Sequence, residues 1–104
     1  MIVVNTETVP GKEITAIHGL VQGNTIRARN LMRDLGAVLK SLVGGELRDY
    51  TALMEQSRNQ AMERMTEQAE ALGANAVINV RFTTATVAAG SAELYAYGTA
   101  VTAV

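Results

Sequence analysis

The sequence predicts an α+β fold of two layers, with helices packed on one side of a sheet. Two observations carry this expectation. The apolar residues alternate near the start, recur at helical spacing through the middle, and alternate again towards the end. Breakers stand where the pattern changes: Pro10-Gly11 near the start, Gly73 after the helical stretch, and Ala88-Ala89-Gly90 inside the last alternating stretch. The order strand, strand, helices, hairpin segregates the two kinds of element, which is the mark of α+β architecture. At 104 residues the chain makes one domain, 1–104.

Residues 2–4, "IVV", are β-branched and run into polar "NTET" and the Pro10-Gly11 turn. The next run, "KEITAIHGLVQG" at 12–23, carries Ile14, Ala16, His18 and Leu20 in even positions and Ile17 and Val21 in odd ones. Apolar residues on both sides predict a strand covered on both faces, one by its own helix and one by another subunit.

In 31–43, Leu35, Val38, Leu39 and Leu42 fall at i, i+3, i+4 and i+7, one stripe of a short helix, with Asn30 as its N-cap. Beyond Gly44-Gly45, residues Leu47, Tyr50, Met54, Ala61, Met65, Ala69 and Leu72 keep helical spacing. They predict a helix from Glu46 to Leu72, about 40 Å long at 1.5 Å per residue. Gly73 is its left-handed stop.

Residues 75–87 then alternate, with Ala76, Ile78, Val80 and Phe82 expected on one face and Asn79, Arg81 and Thr83 on the other. Ala88-Ala89-Gly90 makes the turn into 91–103. There Ala92, Leu94, Ala96, Gly98 and Ala100 form a small-residue face, and Glu93, Tyr95, Tyr97, Thr99 and Val101 form the other. The small face lets a helix lie close. The tyrosine face looks outward or into a neighbour.

Composition narrows the function. Hydrophobic residues make up 48% of the chain but aromatics only 4%, so the core is built from small side chains and a partner chain is expected to supply missing burial. Nine basic against ten acidic residues leave no net field to draw nucleic acid. No cysteine is present for a disulfide framework or a thiolate metal site. The start, "MIVVNTETVPGKE", lacks the basic residues of a signal peptide, and no apolar run approaches membrane-spanning length, so a cytoplasmic protein is expected.

Candidate sites are few. His18 is the sole histidine; it could join a ring of imidazoles about an oligomer axis, or serve as a hydrogen-bonded core residue. Glu63, Glu67 and Glu70 share a helix face that reads as solvated, and Met62 and Met65 read as core filling. Gly44-Gly45 precedes a helix, as phosphate cradles do, but Glu46 and Asp49 fill the first turn and favour a hinge. Arg27, Arg29, Arg33 and Lys40 against Asp34 form a local positive cluster, readable as an anion site or as pairing between subunits. Arg33 and Asp34 are its most consequential pair. Neighbouring helix positions point about 100° apart, so each needs its own partner. No serine among Ser41, Ser57 and Ser91 is placed beside His18, so no enzyme and no organic cofactor are expected.

Four stretches together resemble the YbjQ-like family of small bacterial and archaeal proteins. They are Asn30-Leu31-Met32-Arg33-Asp34, Val43-Gly44-Gly45, Leu72-Gly73-Ala74-Asn75-Ala76-Val77 and Tyr97-Gly98-Thr99-Ala100-Val101. The resemblance implies a dodecin-like β-α-β-β subunit, with an antiparallel sheet and one long helix, that assembles as a ring of five. It brings a heavy-metal-binding label and no established activity. Three functions remain open: a ring that binds a small ligand or ion, a purely structural ring, and an enzyme with a composite site between subunits.

Overall fold

A computed structural model describes residues 1–25, 48–88 and 91–104. The short helix expected at 31–43, its cap Asn30, the Gly44-Gly45 hinge, Arg27, Arg29, Arg33, Asp34 and Lys40 lie outside the described residues. Within them the chain forms β1 (Ile2–Val3), β2 (Ile14–Thr25), α1 (Arg48–Ala71), β3 (Ala76–Ala88) and β4 (Ser91–Ala103). The sheet order is β1-β3-β4-β2. The α+β reading holds, with α1 on one face of the sheet.

The sheet is mixed rather than purely antiparallel. β3–β4 and β4–β2 are antiparallel, but β1 runs parallel to β3. Its bonds explain why: Ile2 N–H donates to the Asn75 carbonyl (3.1 Å) and Val4 N–H to that of Val77 (2.9 Å), so the N-terminus extends beside β3. Asn75 also ends the sheet on its other side. Its side-chain amide donates to the Ala103 carbonyl (2.7 Å) while its Oδ1 accepts from the Ala103 N–H (2.8 Å).

Helix α1 stops as the sequence predicts. Gly73 takes φ +84°. Gly73 N–H donates to the Glu70 carbonyl (3.0 Å) and Ala74 N–H to that of Ala69 (3.1 Å), the paired bonds of a Schellman motif. Buried Ala69 and Ala74 sit in the same apolar cluster, so the cap is also a packing contact.

Among the register shifts that break the simple alternation of β2 and β3, two bulges decide which apolar residues share a face. In β2 the register shifts between Ile17 and Gly19, where Gly19 takes φ +125°. Ile17 pairs with Val101 and Leu20 with Thr99, so residues of opposite parity share the outer face. The apolar residues on both faces of β2 arise in part from this slip. In β3 the register shifts around Asn79, which takes φ +52° and donates its N–H to the Thr6 carbonyl (3.0 Å). Ala76 and Ile78 therefore face outward, whereas Val77 and Val80 face α1. Phe82 pairs with Ala96 and turns to the helix side as well.

The helix-side core gathers Val21, Met65, Val77, Ala96 and Ala100 with Ala61 and Ala69 of α1. A second, smaller cluster on the outer face joins Ala76, Ile78, Val101 and Ala103 to Val9. Part of the outer face is thus covered by the chain's own 5–13 loop.

Gly23 sets how near α1 can come. A Cβ there would run into the carbonyl oxygen of Ala61 and the backbone nitrogen of Met65, which are helix backbone atoms without freedom to turn aside. Gly23→Ala is expected to push α1 off the sheet, at about 1–3 kcal/mol. For a domain of this size that lowers Tm by roughly 4–8 °C per kcal/mol, readable by calorimetry. A Cβ at Gly11 would meet nothing within 4 Å, although φ is +81°, so Gly11→Ala bears only backbone strain and is the control.

Candidate ligand groove

Helix α1 is not centred on the sheet. Its polar side chains reach β2: Arg64 Nη1 donates to the Asn24 carbonyl (2.6 Å), Gln68 Oε1 accepts from the Gln22 N–H (2.8 Å), and Thr25 donates to Gln60 Oε1 (3.0 Å). Two of these bonds satisfy backbone groups of β2 and blunt its edge. Drawn to that side, the helix leaves part of β3 uncovered. Ala96 is fully buried, but its partner Phe82 is 40% exposed.

The uncovered strip is a groove of about 580 Å³. Val3, Met62, Val80 and Phe82 give it apolar walls, and Asn5, Thr6 and Arg81 its polar rim. Arg81 is held there by bonds from Nη1 to the Asn5 and Val80 carbonyls, both 3.0 Å. Met62 also lines a shallower hollow of about 430 Å³ along α1, where exposed Glu63, Glu67 and Glu70 stand with Asn59 and Thr66. A third hollow, about 270 Å³, lies between Gln22, Asn24, Glu93 and Tyr95, and there Asn24 Nδ2 donates to Glu93 Oε1 (2.7 Å). Tyr95 and Tyr97 are half-buried beside it, with ring centroids 6.3 Å apart.

The residues singled out from sequence do not converge. His18 is half-buried at the β2 bulge, its Nε2 2.7 Å from Thr102 Oγ1. Met65 is fully buried in the core, and Ser57 is buried on α1. Glu63, Glu67 and Glu70 do share a face, as expected. Among the described residues no three His, Cys, Asp or Glu side chains are placed to hold one metal ion. A transition-metal site needs several such donors converging. The described donors of one chain therefore do not fit a heavy metal. Nor does the groove pair a nucleophile with a base. It can enclose an apolar body and hydrogen-bond to its edge.

The groove itself was not anticipated from sequence. Phe82 follows Val80 at strand spacing and reads as core, and only the sideways placement of α1 brings it to the surface. Asn79 was the available signal, since asparagine tolerates the left-handed backbone that bulges use.

Comparison with known proteins gives a consistent picture. A family model described as "putative heavy-metal-binding" matches residues 1–104. Among relatives, a UPF0145 protein of Hahella chejuensis is 57% identical over 101 residues, covering 97% of each chain. One from Halorubrum lacusprofundi is 59% identical over 97 residues, 93% of each. One from Archaeoglobus fulgidus is 52% identical over 101 residues, 97% of this chain and 94% of that one. A crystal structure of a protein of unknown function of the DUF74 family from Pediococcus pentosaceus shares the fold, with TM-score 0.60 at 17% identity over 98% of this chain and 96% of that one. No described helix is long and apolar enough to cross a membrane.

His18→Ala is expected to leave the divalent-metal content per chain unchanged by elemental analysis. It should lower stability by about 0.5–1.5 kcal/mol, the ordinary worth of a hydrogen bond such as that to Thr102. Stoichiometric zinc, copper or nickel in the parent, lost in the variant, would give His18 the ligand role instead.

Proposed function

The chain belongs to the YbjQ-like family, and on that premise we propose that it is a cytoplasmic homo-oligomer of dodecin-like subunits, a ring of five, that binds a small ligand between subunits. The observation that carries this reading is the groove beside α1. Its Met62, Val80 and Phe82 surface is apolar and large enough for a small organic molecule, but it is walled on the helix side and open on the other. A neighbouring subunit supplies the missing wall.

The ligand this favours is an amphipathic organic molecule. Apolar surface would take its body, and Asn5, Thr6 and Arg81 would take a polar or anionic edge. Arg27, Arg29, Arg33 and Asp34 remain proposed contributors, either to that anion affinity or to pairing between subunits. The second reading is a ring whose assembly is its whole role, with the groove filled by protein alone. An enzyme with a composite site has the least support, because the groove itself pairs no nucleophile with a base.

Native mass spectrometry of the untagged protein reads subunit number and bound mass together. The expected particle is five chains of 11.1 kDa, about 55 kDa, with additional mass that denaturation releases. An 11.1 kDa particle at micromolar concentration overturns the ring. A ring whose mass is that of its chains alone favours the structural reading.

A further inference from the structure

Among the described residues, several large apolar side chains are exposed while mostly small ones fill the core. Ile17 is 74% exposed, Leu20 72% and Phe82 40%, whereas the largest fully buried side chains among the described residues are one methionine, three valines and a threonine. The exposed residues form two separate surfaces. Ile17 and Leu20 lie on the outer face of β2, one edge strand of the sheet. Phe82, with Met62, Val80 and Val3, lines the helix-side groove over β3 and β1, at the other edge.

Opposite edges and opposite faces are what overlapping shingles require. The outer face of one sheet's β2 edge can then lie over the helix-side face of the next sheet's β3–β1 edge. Contact of like with like would cover one surface and leave the other bare. A head-to-tail contact covers both in every subunit with a single kind of interface, and such contacts close into rings when the rotation permits. A stable interface needs roughly 800 Å² from each partner. Ile17 and Leu20 alone do not reach that, but exposed Gln22 and Asn24 and half-exposed Tyr95 and Thr99 continue their face.

We infer that the groove beside α1 is closed by the β2 edge of a second copy, with Ile17 and Leu20 seated against Met62 and Phe82. The inference rests on the ring reading and specifies its interface. It also defines the ligand space as what remains in the groove towards Asn5, Thr6 and Arg81 once those two side chains have entered.

The chain has no cysteine, so engineered pairs can be linked without background. Leu20→Cys and Phe82→Cys chains, coexpressed and oxidised with diamide, are expected to give a linked pair, while each variant expressed alone gives none. The double variant should give a ladder ending in a closed species with the same number of chains as the parent in native mass spectrometry. Ile17→Cys with Met62→Cys is the second pair, to be used if the first melts below the parent. Disulfide-linked pairs from Leu20→Cys alone would mean that the patch meets itself, and the inference fails. A parent that is oligomeric while neither pair links overturns this interface but leaves the ring standing. A monomeric parent ends both.

Discussion

The contact between Gly23 and the backbone of α1 decides more of this molecule than any other. Strand and helix meet there without a side chain between them, because a Cβ would strike Ala61 and Met65 backbone atoms. Ala61 and Ala69 on the helix and Ala96 and Ala100 on β4 keep the rest of the interface equally thin. A helix fixed this closely over β2 and β4 covers Val77 and Val80 but leaves the Phe82 part of β3 open, since sheet strands are spaced about 4.8 Å apart. Its bonds from Arg64 and Gln68 to the edge of β2 hold it on that side. The groove is the part of the sheet that the displaced α1 leaves uncovered.

The bulges act on the same problem from the strands. Without the slip at Gly19, Ile17 and Leu20 would point to opposite faces; with it they form one patch. Without the slip at Asn79, Phe82 would share the outward face with Ala76 and Ile78 instead of facing the groove. Gly98 makes the second bulge possible, since a Cβ there would come within 2.8 Å of Val77 and 2.9 Å of the Ile78 carbonyl oxygen. Asn75 then locks the end of the sheet by binding Ala103 through both atoms of its amide. Three of the residues in the stretches that resemble the family, Gly73, Asn75 and Gly98, thus have geometric work to do that needs no ligand.

Local chemistry was legible in the sequence; lateral placement was not. The stop of α1 at Gly73, the hairpin strands to within a residue, and the small face of β4 against the helix follow from propensity and period, which are properties of neighbouring residues. Bulges break period, so strict alternation misassigned Ala76 and Ile78 relative to Phe82 and misread the two-sided pattern of β2. The pairing of β1 with β3 depends on contacts more than seventy residues apart in sequence, which a local pattern cannot register. The groove was least legible of all. It depends on where α1 sits across the sheet, and that is set by a glycine and two hydrogen bonds to a strand edge.

These constraints bear on why Ile17, Leu20 and Phe82 stand exposed. Among the described residues the thin α1–sheet interface buries mainly alanine, valine and one methionine at its centre. The exposed parts of Ile17, Leu20 and Phe82 amount to roughly two side chains, worth about 3–6 kcal/mol if buried at 1.5–3 kcal/mol each. A whole domain is stable by only about 5–15 kcal/mol. Association offsets that gain through lost rotational and translational freedom. That loss is about 4–15 kcal/mol, so these three side chains alone leave little or none of the gain. On the ring reading proposed above, the apolar area that Ile17, Leu20 and Phe82 leave exposed at the edges of one sheet would be held between chains, together with the polar residues beside them.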